Sequence, residues 1–327
     1  MIQEKKRLPV GVENFELIMN DNYYYVDKTG LISELIRNGG MVNLFTRPRR
    51  FGKTLNMSML EHFFSIERDQ SIFNGLEISK DTKLCEEYMG KYPVISISLK
   101  GINAAAYETA FDFAVQIMKN VAGKMQFLLE SGNLSDFDKS EYKKLLDSGM
   151  SKAVFCSGLK TLSELLEKHY GTKVVLLIDE YDVPLAKAFE NGYYEQMIFL
   201  IRSLLEQALK TNDSLKFAIM TGCMRISKES IFTGLNNLKV LSITDERYDE
   251  YFGFTDAEVK EMLKYYEIED HYEEIKNWYD GYQFGDMEVY CPWDVLNYCD
   301  KVKDHVDSFP ENYWINTSSN DAVRKFI

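Results

Sequence analysis

Arg47-Pro48-Arg49-Arg50-Phe51-Gly52-Lys53-Thr54 stands between an apolar run at 41–46 (MVNLFT) and an amphipathic stretch at 54–65. A strand that turns through glycine into a helix opened by Lys and Thr follows the phosphate-loop pattern, G-x-x-x-x-G-K-[S/T]. The last three positions match, and Arg47 occupies the place of the first glycine. The tail carries the chemistry. Gly52 lets main-chain N–H groups close on phosphate oxygens, Lys53 sets a positive charge between the outer phosphates, and the Thr54 hydroxyl binds Mg2+. The helix N-terminus adds its partial positive charge. The expected nucleotide contacts are therefore Arg49, Arg50, Phe51, Gly52, Lys53, Thr54 and Leu55. G-K-[S/T] alone is short enough to recur by chance, so its weight comes from the strand before it and the helix after it.

A second stretch, Val174-Val175-Leu176-Leu177-Ile178-Asp179-Glu180, reads as a Walker-B strand. Asp179 is expected to hold Mg2+ through water, because that ion keeps several waters and takes few protein ligands. Glu180 is the candidate general base that orients and deprotonates the attacking water. The next apolar run ends Met220-Thr221-Gly222, followed by Met224-Arg225. Thr221 is placed to sense the γ-phosphate. Arg225 either touches the same phosphate or pairs with a surface carboxylate.

Working outward, apolar runs at 41–46, 92–99, 173–178, 215–221 and 238–243 are nearly continuous, as in strands buried on both faces of a parallel sheet. Helical spacing fills 54–65, 104–130, 159–169 and 194–210. Alternating strands and helices predict an α/β doubly wound sheet with helices on both faces. Past residue 245 the chain is rich in Tyr, Trp, Asp and Glu, with short helical patterns at 256–266 and 271–278. Residues 1–245 are read as a nucleotide-binding domain with segment 1–40 packed on it. Residues 246–327 are read as a smaller, mostly helical, lid-like domain.

The 327 residues carry 38 Lys+Arg against 51 Asp+Glu, a net charge of −13. That balance argues against a surface that coats nucleic acid or anionic lipid as a whole, and leaves open a local basic patch. The 13% aromatic content is far from a disordered composition. Five cysteines at long spacings without C-x-x-C, and four scattered histidines, build neither a disulfide framework nor a zinc site. No signal-peptide apolar region and no membrane-length apolar run is present. A cytoplasmic protein without membrane contact is the expectation.

The chain resembles the AAA-ATPase-like family of bacterial and archaeal P-loop proteins, whose members are often joined to a PD-(D/E)xK nuclease-like domain. The resemblance rests on Tyr24-Tyr25-Val26-Asp27-Lys28-Thr29-Gly30-Leu31-Ile32, on the 47–54 loop, and on Leu177-Ile178-Asp179-Glu180-Tyr181-Asp182. It continues through Thr221 to Asn237, Trp278-Tyr279-Asp280-Gly281-Tyr282, Pro292-Trp293 and Tyr313-Trp314-Ile315-Asn316-Thr317-Ser318. The R-P-R-R-F-G-K-T loop looks like the family's own version of the motif. The resemblance implies a three-layer α/β/α P-loop NTPase fold of the additional-strand, catalytic-Glu type, with sheet order 5-1-4-3-2 and a helical domain behind the nucleotide. It also favours ATP over GTP, and no N-K-x-D base-reading motif is present. No P-D…(D/E)-x-K constellation follows, so nuclease activity is not expected of this chain.

Other features carry plainer readings. Arg47, Arg49 and Arg50 are open to three: phosphate contact, an arginine finger reaching a neighbouring subunit, or packing and ion pairing. Asp27-Lys28-Thr29 either borders the base or sugar or caps the following helix, with Thr29 as N-cap. The Trp278–Tyr282 and Pro292-Trp293 aromatics read as the core of the smaller domain more than as a base- or partner-binding face. The leading expectation is an ATP-binding, Mg2+-dependent ATPase used as a switch. The competing one is a non-hydrolysing nucleotide-binding scaffold for a protein partner or nuclease-like domain. Homo-oligomerisation is compatible with both, and nucleic-acid binding through a local basic face is the third reading.

Overall fold

The computed structural model describes residues 5–223, 231–232, 235–305 and 307–313. In chain order the first elements are α1 (Phe15–Asn20), α2 (Gly30–Asn38), β1 (Val42–Thr46), α3 (Lys53–Phe64), α4 (Thr82–Tyr88), β2 (Val94–Ser98) and α5 (Tyr107–Gly123). Next come α6 (Asp136–Leu145), α7 (Lys152–Tyr170), β3 (Val174–Asp179), α8 (Val183–Glu190), α9 (Tyr194–Leu209), β4 (Leu215–Gly222) and β5 (Leu238–Leu241). The remainder holds β6 (Phe254–Thr255), α10 (Asp256–Tyr266), α11 (Tyr272–Tyr279), β7 (Tyr282–Phe284), β8 (Met287–Tyr290) and α12 (Pro292–Asp304).

β1 to β5 form one parallel sheet in the order β2-β3-β4-β1-β5, which read from the β5 edge is 5-1-4-3-2. Every residue of β1 and β3 is buried, and the edge strands β2 and β5 are only partly so. The period-two alternation of a strand separates two cores. Val174, Leu176 and Ile178 of β3, with Ala218 and Met220 of β4, face the helices α5, α7 and α9. Val175, Leu177 and Ile219 face α3 and the α1–α2 region on the other side. A sheet with apolar residues on both faces must be covered twice, and these two clusters are the two coverings.

The C-terminal part has its own core, built on Phe254, Val259, Met262, Ile275, Val295 and Tyr298. Beside the helices α10, α11 and α12 it holds a small sheet that the sequence reading does not anticipate: β6, β8 and β7 make three antiparallel strands in that order. Strands of two to four residues are too short to show a readable alternation. The N-terminal segment divides its contacts. Phe15 and Leu31 join the core beside α3, and Leu8 joins the C-terminal core. The Lys6 N–H donates to the Tyr265 hydroxyl at 2.9 Å. Among the described residues no helix is long and apolar enough to cross a membrane.

Candidate phosphate-binding site

The loop leaves the carboxyl end of β1, the position where parallel α/β sheets bind ligands. Arg47 N–H donates to the Gly222 carbonyl at 3.1 Å, so the loop start is tied to the end of β4. Two left-handed residues then bend the chain: Arg50 at φ +70° and Gly52 at φ +77°. Gly52 is the N-cap of α3 and offers no capping side chain. The first-turn N–H groups of α3 are therefore not taken by a cap, which suits an anion. A Cβ built on Gly52 would meet open space, so the glycine is required by its φ and not by crowding.

Lys53 is buried, and its Nζ donates to the main-chain carbonyls of Arg47 (3.0 Å) and Pro48 (2.9 Å) and lies 3.5 Å from Cys223 Sγ. These oxygens are neutral, so the bonds hold the ammonium in the loop without cancelling its charge. Thr54 Oγ1 donates to Asp179 Oδ2 at 2.9 Å, joining the first turn of α3 to the end of β3. The Thr221 hydroxyl donates a short bond to Asp179 Oδ1 and accepts from the Glu180 N–H at 3.3 Å. Both oxygens of Asp179 are thus oriented by threonine hydroxyls from two other segments.

Glu180 follows β3 in the left-handed region, at φ +53°. Such a conformation costs a non-glycine residue about 1–3 kcal/mol and needs support from its surroundings. Burial raises the proton affinity of the Glu180 carboxyl, the neighbouring Asp179 raises it further, and Lys100 and Lys53 pull it back. Burial likewise pushes the Cys223 thiol up, opposed by the charges of Lys53 and Arg49. The Cys223 N–H is fixed by Asp182 Oδ2 at 2.9 Å.

The structure brings Gly52, Lys53, Thr54, Asp179, Glu180 and Thr221 together. It sends three other side chains elsewhere. Arg50 places its guanidinium 3.9 Å from the centroid of the Trp293 ring. Phe51 is buried against Tyr282 and Phe284, and Leu55 packs against the same apolar cluster. Any contact these three make with a phosphate falls to their main chain. Thr221 is engaged with Asp179, which makes its hydroxyl an orienter of that carboxylate in this arrangement. Arg225 lies outside the described residues. Arg47 is fully buried and donates to the carbonyls of Thr46 (3.1 Å), Leu241 (2.9 Å) and Tyr248 (3.4 Å), with burial lowering its pKa to about 10.

The Asp27-Lys28-Thr29 stretch lies away from this loop and serves as a structural knot. Asp27 Oδ1 accepts from the Thr29 N–H (2.9 Å) and hydroxyl (2.7 Å), and Asp27 Oδ2 accepts from the Glu77 N–H (2.7 Å). Thr29 holds the N-cap position of α2 without a side-chain capping bond, because its hydroxyl oxygen accepts from the Ile78 N–H at 3.1 Å. Buried Lys28 pairs with Glu258 at 2.6 Å. A polar cavity of about 850 Å3, lined in part by Asp27, Glu34, Arg37 and Glu250, opens in this region. It contains no residue of the 47–54 loop. At the loop, by contrast, a cation, an uncapped helix start and two carboxylates converge.

The model of the AAA-ATPase-like family, described as predicted AAA-ATPase, matches residues 9–232. An uncharacterized protein in the vnfD 5' region of Azotobacter chroococcum mcd 1 is 29% identical over 300 residues, 89% of this chain and 51% of that protein. The chain thus spans about half the length of this curated relative.

Proposed function

The chain belongs to the AAA-ATPase-like family, and from that premise we propose that it binds ATP with Mg2+ at the 47–54 loop and hydrolyses it, in a P-loop NTPase fold of the catalytic-Glu type. The observation that carries the reading is the Thr54–Asp179 hydrogen bond, which joins two motifs 125 residues apart at the ends of β1 and β3. The residues present fit the groups. The uncapped start of α3 and the uncancelled charge of Lys53 suit phosphate, and a hydroxyl bonded to a carboxylate is a donor set for a hard cation.

In this reading Thr54 Oγ1 and Asp179, the latter through water, would hold Mg2+, which would supply positive charge against that of the phosphates. Lys53 exchanges its carbonyl partners for phosphate oxygens and stabilises the charge that grows on them. Thr221 keeps Asp179 oriented. Glu180 accepts the proton of the attacking water, a role for which an elevated proton affinity is useful. Residues 246–327 act as the smaller unit behind the loop. The test is phosphate release by the parent beside Glu180→Gln and Lys53→Ala. The reading expects Glu180→Gln to retain ATP while turnover falls about 10²–10⁴-fold, and Lys53→Ala to lose both. Undiminished turnover in Glu180→Gln would refute the assignment of the base.

A further inference from the structure

A phosphate loop of the general pattern begins with glycine; this one begins with arginine, and the part of the chain after residue 247 supplies the aromatic rings that flank it. Arg47 has its guanidinium 5.1 Å from the Phe252 ring and 5.2 Å from the Phe284 ring. Phe51 has its ring centroid 4.8 Å from Tyr282 and 5.2 Å from Phe284. Gly253 lies so close that a Cβ there would come within 3.1 Å of the Phe51 ring. Between these anchors stands Arg50, in a left-handed conformation that an L-residue adopts only when something holds it. Its guanidinium stacks on the indole of Trp293, 3.9 Å from the ring centroid, on the first turn of α12. Trp293 is itself fixed, with Nε1 donating to the Tyr313 carbonyl at 3.3 Å.

We propose that Trp293 is a positioning residue of the phosphate loop: by stacking on Arg50 it holds the turn that delivers Gly52 and Lys53. The proposal rests on the reading of 47–54 as the ATP site. By linkage, ATP bound at the loop also strengthens the docking of β7, β8 and α12 upon it. The C-terminal part thereby senses occupancy through Arg50, Phe51 and Arg47.

The test measures ATP·Mg2+ affinity by titration and amide exchange across 47–56 in the parent, Trp293→Ala, Trp293→Phe and Trp278→Ala. Trp293→Ala should weaken binding about 2- to 30-fold and speed exchange in the loop. Trp293→Phe should restore most of both. Trp278→Ala, at a tryptophan 56% exposed, should move neither. A second arm compares Arg50→Gly with Arg50→Ala in otherwise parental protein. Both lose the stack, but only glycine takes a positive φ freely, so Arg50→Gly should bind ATP more tightly than Arg50→Ala. Unchanged loop exchange in Trp293→Ala, or equal affinities in the two Arg50 variants, would overturn the proposal. A parent that binds no ATP, with loop exchange still faster in Trp293→Ala, would refute the nucleotide reading and leave the hold of Trp293 on the loop established.

Discussion

Thr54 Oγ1 donates to Asp179 Oδ2 at 2.9 Å, and Asp179 Oδ1 takes a second hydroxyl, from Thr221. The carboxylate is therefore oriented before any cation arrives, and the hydroxyl that would share the cation is already beside it. Thr54→Val keeps the shape of the side chain but removes its oxygen. We expect Mg2+-supported turnover to fall about 10²–10³-fold, with thermal stability lowered by only about 1 kcal/mol. Thr54→Ser should behave like the parent. Steady-state rates at graded Mg2+ concentrations check this.

Glu180 gives the pH dependence its sign. Burial and the Asp179 charge raise its proton affinity above that of an ordinary glutamate, and a base must be ionised to act. The rate should therefore fall as pH is lowered, with a midpoint above the usual glutamate range. The same shift acts on stability in a fixed direction. The folded chain binds this proton more tightly than the unfolded chain, so the contribution of Glu180 to stability falls as pH rises through its folded pKa. Glu180→Gln should accordingly raise the melting temperature at pH 7, and the gain should vanish in acid. A pH–rate profile and melting curves at several pH values check both signs.

Arg47 occupies the place of a glycine in the general loop pattern, yet Arg47→Gly should not improve the protein. The substitution removes three hydrogen bonds to carbonyls and two ring contacts from a fully buried position. A loss of about 3 kcal/mol or more is expected, read as a lower urea midpoint at unchanged slope.

Lys28 ties the segment before α2 to the C-terminal part, through Glu258 at 2.6 Å and the Glu250 carbonyl at 2.6 Å. Glu258 also caps α10, accepting from the Thr255 N–H at 2.7 Å. Burial lowers the pKa of Lys28 and the Glu258 charge opposes that. Lys28→Met leaves a partly buried carboxylate without its cation and should cost about 2–4 kcal/mol. Adding Glu258→Gln should recover part of that loss, a non-additivity that denaturation of the double variant measures.

The sequence exposes those parts of this molecule whose physics is local. The apolar runs of β1 and β3 stand out because a strand covered on both faces has no polar side to interrupt it, and the edge strands β2 and β5 show as partly polar runs beside them. Lys53, Thr54, Asp179 and Glu180 are legible for a similar reason, since each motif is written in consecutive residues. α6 is not legible from apolar spacing: only Tyr142 and Leu145 of its ten residues are buried. Its local signals are at its ends: the Ser135–Asp138 capping box, and Lys143 and Lys144 in the last turn. α12 opens with Pro292 and mixes polar with buried residues. The fates of Arg47, Arg50 and Phe51 were hidden for a different reason. Their partners lie about 200 residues or more downstream, in an aromatic stretch that reads by itself as ordinary core. A dense arginine cluster looks alike whether it meets phosphate or indole, and only the folded chain sets Arg50 on Trp293 and Arg47 on buried carbonyls.

The most direct test of the ATP site is a calorimetric titration of ATP with Mg2+ into the parent and into Lys53→Ala. We predict saturable one-to-one binding to the parent and its loss in the variant, with both proteins equally folded. Equal binding by the two, or no binding by a folded parent, would contradict the assignment of the 47–54 loop as the phosphate site.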